Sequence, residues 1–132
     1  MEQKIVIPLQ PHTKKNHSQI IMIKGRPRLI PSKQYNQYLK DCKPYLDNVE
    51  PFLSPCNMKC LYYMPTHRRV DLCNLIAATC DILVHYGILI DDNSKYVIGH
   101  DGSRVLYDKD EPRTEITLTG VEDAELDTEI KE

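Results

Sequence analysis

The chain has 132 residues, 41% of them apolar and 27% charged, with no tryptophan and a formal net charge of −2. Such a length supports one hydrophobic core but not two, and no apolar run approaches the roughly 20 residues that a membrane helix requires. The start, Met1-Glu2-Gln3-Lys4, leads into an alternating segment rather than a signal-type apolar stretch, so the expected location is the cytoplasm, with no membrane partner.

From the first residue on, Lys4 to Leu9 reads as a short apolar strand, stopped by Pro11. A polar loop follows to His17 and carries Lys14, Lys15 and Asn16. Gln19 to Lys24 is a second strand, and Gly25-Arg26-Pro27 turns it into Arg28-Leu29-Ile30, a hairpin with a basic tip. Ser32 caps a helix that runs past Lys33 to about Leu46. Its Tyr35, Tyr38, Leu39 and Cys42 lie at helical spacing, a stripe expected in the core rather than as a base-stacking platform.

Pro51 and Pro55 break the chain before a strand from Asn57 to Met64 and a basic turn, Pro65-Thr66-His67-Arg68-Arg69. Asp71 then caps a second helix whose buried stripe is Leu72, Leu75, Ile76, Thr79, Leu83 and Tyr86, and Gly87 stops it. Ile88-Leu89-Ile90 leads to Asp91-Asp92. Lys95 to His100 and Arg113 to Thr119 are strands, joined across Asp101-Gly102-Ser103 and a charged turn from Asp108 to Pro112. The stretch from Glu122 to Glu132 is acidic and free of aromatics, and disorder is expected there. The order β-β-α-β-α-β-β implies an α+β fold, a mixed β-sheet with two helices. Residues 1–119 form a single domain, and residues 120–132 an acidic tail.

Charge is unevenly spread. Residues 1–70 hold 12 Lys or Arg against 4 Asp or Glu, whereas residues 71–119 hold 4 against 9. A basic half suits phosphate contacts, which release counterions, and a carboxylate-rich half suits a divalent cation. Taken alone, the same bias equally fits two solvated faces. The cysteines, an odd number at 42, 56, 60, 73 and 80, do not form a disulfide framework. Cys56, Cys60, His67, Cys73 and Cys80 have the donor types for zinc. However, Cys56 and Cys60 on one strand would stand about 13 Å apart, too far for one tetrahedral ion. Buried free thiols are the expectation.

Asp71, Asp91 and Asp92 are the residues most suited to chemistry. Clustered carboxylates hold Mg²⁺, and that ion activates water and stabilises charge developing on a phosphodiester. By residue type alone, Asp71 also reads as a plain helix cap and Asp91-Asp92-Asn93 as an ordinary turn.

Several ordered motifs add to this. The tract Arg68-Arg69-Val70-Asp71-Leu72-Cys73-Asn74-Leu75, then Asp81-Ile82-Leu83, Gly87 and Asp91-Asp92, resembles the signature of the RusA-type Holliday junction resolvases. So do the opening Ile5-Val6-Ile7-Pro8-Leu9-Gln10-Pro11, Lys15-Asn16, and the segment from Arg26-Pro27-Arg28 to Ser32-Lys33. The closing tract, His100-Asp101-Gly102-Ser103-Arg104 to Pro112-Arg113-Thr114-Glu115-Ile116, is similar to prophage-borne members in particular. The match spans about residues 3 to 119. It implies a RusA-like fold and a phage or prophage origin. It also implies a homodimer that nicks four-way and other branched DNA with Mg²⁺ or Mn²⁺ during recombination and repair.

On that resemblance, Asp71 matches the first acid of an Asp-Leu-Asp-Asn helix start, Asn74 its asparagine, and Asp91 and Asp92 a later acidic pair. These four are the implied catalytic set, with the three aspartates holding metal. Two positions depart. Cys73 stands in place of the second acid and Ala77 in place of a lysine, and a thiol is a poor ligand for a hard cation. Asp101 or Glu115 would then assist the metal. Lys14, Lys15, Asn16, Arg26, Arg28, Lys33, Arg68 and Arg69 are the expected DNA-binding residues, positioning backbone rather than reading sequence.

A helix from Asp71 to Tyr86 is about 24 Å long, and the five residues from Gly87 to Asp91 span at most about 17 Å. One chain therefore struggles to bring its own Asp71 beside its own Asp91, and sites shared between two subunits are expected. Two alternatives stand beside the endonuclease: a junction-binding protein with an impaired active site, and an accessory protein that binds duplex DNA.

Overall fold

The computed structural model describes residues 1–12, 19–30 and 33–121. Lys14, Lys15, Asn16, Ser32 and the acidic tail beyond Val121 lie outside the described residues. The elements run β1 (Glu2–Ile7), β2 (Gln19–Ile23), β3 (Arg26–Ile30), α1 (Lys33–Leu46), β4 (Cys56–Met64), α2 (Leu72–His85), β5 (Val97–Gly99), β6 (Arg104–Tyr107) and β7 (Arg113–Gly120). This is an α+β fold with two helices and a mixed sheet, as the patterning implied. Among the described residues it has nine elements rather than seven, because the hairpin's second arm is a strand of its own and the segment after Tyr96 yields two strands.

β4 is the axis of the sheet. Cys56, Met58, Cys60, Tyr62 and Met64 are buried while Asn57, Lys59, Leu61 and Tyr63 are only partly so, the period-2 pattern of a strand with one packed face. β7 runs antiparallel along one edge of β4, from Cys56↔Gly120 to Tyr63↔Arg113. β1 pairs antiparallel with the far side of β7, and Ile5 and Ile7 join Ile116 and Leu118 in the core.

The other edge of β4 is divided. β5 pairs parallel at its start and β6 parallel at its end. Between them side chains replace the ladder. The Cys60 N–H donates to Ser103 Oγ (3.0 Å), and Asn57 exchanges two hydrogen bonds with the Asp101 backbone (2.9 and 3.2 Å). Gly102 has φ 86° and lies so close to Lys59 that an added Cβ would come within 2.8 Å of its side chain. This interruption is why a strand expected over Lys95–His100 shrinks to three residues and a separate β6 follows.

β7 is entered through a charged corner. The Arg113 guanidinium donates to Glu115 (2.7 Å), to Asp108 (2.9 Å) and to the Glu111 carbonyl (2.8 Å), and lies over the Tyr63 ring at 3.9 Å. The Glu111 N–H and the Arg113 side chain hold the Asp108 carboxyl below its ordinary range.

Both helices pack on the β4 core. α1 buries Tyr35, Tyr38, Cys42 and Leu46, so the tyrosine stripe is core, as its spacing implied. α2 ends in a Schellman arrangement, with Gly87 at φ 74° and the Ile88 N–H donating to the Leu83 carbonyl (2.9 Å). Tyr86 Oη donates to the Leu39 carbonyl and links the helices. α2 is fixed to β4 by a fully buried relay. Thr79 Oγ1 donates to the Leu75 carbonyl (2.9 Å), so Tyr62 Oη must donate to Thr79 (2.6 Å). Among the described residues no helix is long and apolar enough to cross a membrane.

Because an orphaned buried hydroxyl costs about 1–3 kcal/mol, Thr79→Val will destabilise the fold more than Tyr62→Phe. The double substitution, which orphans nothing, will recover much of the loss. Chemical denaturation of the three variants checks the order; equal losses for the two single variants would refute the relay.

Candidate metal and nucleic-acid site

Asp71 is reached through the exposed turn that follows β4. The chain leaves Met64 and runs through His67, Arg68 and Arg69, all exposed, to Asp71. There Asp71 adopts an extended conformation (φ −95°, ψ 110°), and its Oδ1 accepts from the N–H groups of Cys73 (2.9 Å) and Asn74 (3.4 Å). The cap reading of this residue is therefore realised. A capping carboxylate also lies where the helix dipole favours negative charge. Cys73 and Ala77 are exposed on the first turns of α2.

Asp91 and Asp92 stand at the other end of the helix. Asp91 accepts from the Asp92 N–H (2.7 Å) and from Asn93 Nδ2 (3.1 Å), and Asn93 Oδ1 accepts from the Lys95 N–H (2.9 Å). That is the self-bonded turn the residue types allow. The pair lines a depression of about 320 Å³ with Tyr35, Asp81, Val84 and His85. Asn74, Asp81 and His85, at i, i+7 and i+11, share one flank of α2. Asp81 and His85 were not singled out as site candidates from the sequence, although their i, i+4 spacing is a visible signal.

Asp71 and the acidic pair are not brought together within one chain. The 14 residues of α2 extend about 21 Å, and Asp81 lies about 15 Å along the axis from Asp71. Among the described residues, no group of three or more His, Cys, Asp or Glu side chains is placed to hold a metal ion. Of the two further carboxylates considered as helpers, Glu115 is engaged by Arg113, and Asp101 sits in a turn whose backbone is held by Asn57.

The thiols divide in the same way. Cys42, Cys56, Cys60 and Cys80 are buried and Cys73 is exposed. Burial pushes Cys42 and Cys80 up to about 12 and Cys56 and Cys60 up to about 11, and the Asp92 charge adds to the effect at Cys80. Such thiols stay protonated and are poor ligands.

The basic residues occupy separate stretches. Arg68 and Arg69 lie on the turn before Asp71; Arg26 and Arg28 are exposed on β3, in a two-stranded sheet with β2; Lys33 is exposed at the start of α1. Nothing in the local pattern signals the aromatic contact beside Arg68, where the His67 ring stacks on Tyr107. Tyr107 lies on the strand that sequence patterning missed.

Asp71→Asn retains a good cap and will leave stability unchanged, whereas Asp71→Ala will cost about 1 kcal/mol; thermal melts of both variants check this. No family model matches this chain, and no curated protein matches it.

Proposed function

We propose that the protein is a homodimeric, divalent-metal-dependent endonuclease acting on branched DNA, with four-way junctions as its substrate class. The observation that carries this reading is the position of its hard-oxygen donors. Asp71 caps α2, with only Val70 between it and two exposed arginines, and Asp91–Asp92 lie at the helix's far end. The donor chemistry suits Mg²⁺ or Mn²⁺, but the placement within one chain does not, so a second chain belongs to the proposal. A two-fold axis crossing the middle of α2 sets the Asp71 end of one helix beside the Asp91–Asp92 end of the other. The exposed start of α2 carries small side chains at i and i+4, Cys73 and Ala77, which would let a second helix approach closely.

In this reading a bound ion lowers the pKa of its water and neutralises charge on the phosphodiester. The chain's own residues do the rest. Asp71, held by its cap bonds, presents a fixed carboxylate, and Asn74 offers an amide on the next turn. Arg68 and Arg69, with Arg26, Arg28 and Lys33, track phosphates and select branch shape rather than sequence. The resemblance of residues 3–119 to the RusA-type resolvases supports the same assignment. A second reading, a junction-binding protein that no longer cuts, is favoured by Cys73 and Ala77, which leave two exposed α2 positions without an acid or a cation.

The deciding experiment is nicking of a synthetic four-way junction with Mg²⁺, Mn²⁺ or EDTA. Paired, metal-dependent cuts that disappear in Asp92→Asn are expected, with Cys73→Asp raising the rate by about 100-fold, the scale of one electrostatic contact. Tight junction binding without cutting, restored by Cys73→Asp, would instead establish the impaired form. Mixing Asp71→Asn and Asp92→Asn subunits tests the shared site. Heterodimers rebuild one intact site and will regain single-strand nicking, and silence from the mixture would sink the two-chain arrangement.

A further inference from the structure

Two exposed rings lie face to face beside the basic turn. His67 stacks on Tyr107, the last residue of β6, with ring centroids 3.9 Å apart and planes 24° from parallel. Tyr107 keeps 45% of its surface exposed, and His67 is exposed as well. The pairing follows from the sheet. Tyr107 is the register partner of Met64, and the Asp108 N–H donates to the Met64 carbonyl (2.9 Å). The end of β6 is thereby held at the point where the chain leaves β4 towards His67.

We propose that the His67–Tyr107 pair is a stacking platform for one nucleobase that becomes unpaired at the branch point when the protein binds a DNA junction. The inference rests on the branched-DNA reading above. Every base has a π face, so an aromatic platform binds it without regard to sequence. Each ring is already ordered by the other, which lowers the entropy lost when a base is added. Arg68 and Arg69 directly follow His67 and supply phosphate contacts next to the stacked base. His67 and Asp71 are four residues apart, at most about 14 Å, or about four steps along a DNA strand. A base seated on the platform would place the cut within about four nucleotides of the branch.

The test uses a four-way junction with 5-iododeoxyuridine at its branch-point positions. Irradiation of the complex and mapping of the linked peptide will identify Tyr107 or His67. In parallel, junction affinity is measured over a range of salt for Tyr107→Phe, Tyr107→Leu and His67→Leu. The Phe variant will bind like wild type, whereas each Leu variant will lose about tenfold or more. The dependence on salt will not change, because no phosphate contact is removed. His67→Leu, on an exposed turn, gives an independent reading if Tyr107→Leu lowers thermal stability. If wild type binds the junction, Leu variants of full affinity or cross-links elsewhere overturn the platform alone. If wild type prefers the junction no more than matched duplex, the branched-DNA reading fails and the platform with it.

Discussion

The rest of the molecule depends on β4 being paired on both edges and packed on one face. β7 takes one edge of its nine residues; on the other, β5 and β6 pair at the two ends, Ser103 and His100 side chains bond the backbone of Cys60 and Met58, and Asn57 ties down the Asp101 backbone. The buried side holds α2 through the Tyr62–Thr79–Leu75 relay, which burial makes costly to break. Where β4 ends, the chain has little freedom. Met64 fixes Tyr107 on one side and launches the turn to Asp71 on the other, so the direction of α2 and the position of its first carboxylate follow from the strand.

α2 then acts as a rigid spacer. A helix of four turns cannot bend its two ends together, and its Schellman stop sends Ile88 and Leu89, both buried, back into the core rather than towards Asp71. The acids at its ends are thus held apart by the same hydrogen bonds that stabilise the fold. Joining them would take a second molecule rather than a conformational change. Asp71 and Asp91 also have local structural duties, as cap and turn, which fix the orientation of their carboxylates.

Much of this could be read in the sequence. The strict alternation of Cys56 to Met64, the 3.6-residue periodicity of α1 and α2, the capping by Asp71 and the stop at Gly87 each have a local cause, and each holds. β6 was invisible because Arg104 to Tyr107 has no alternation of its own and is a strand only through the free edge of β4. The shortening of β5 depends on Asn57 and Ser103, residues more than 40 positions from their partners. Within the candidate site, the acids and their separation were legible from helix length. The i, i+4 spacing of Asp81 and His85 was visible, but their place beside Asp91–Asp92 and the His67–Tyr107 contact were not, since tertiary packing alone brings these groups together. Lys14, Lys15 and Asn16 lie outside the described residues.

The divided edge of β4 has a further consequence for how the protein behaves at high concentration. A long, flat, unpaired strand invites copies of the same chain to add on, strand by strand, into open-ended polymers. Here β5 and β6 are three and four residues long, offset from each other and separated by a glycine turn, so no straight template is offered on that side. At the opposite margin β1 carries Glu2 and Lys4 on exposed positions and is followed at once by Pro8, which cannot donate to a ladder. Both margins of this sheet thus discourage strand addition, which favours finite assemblies over open-ended growth along it.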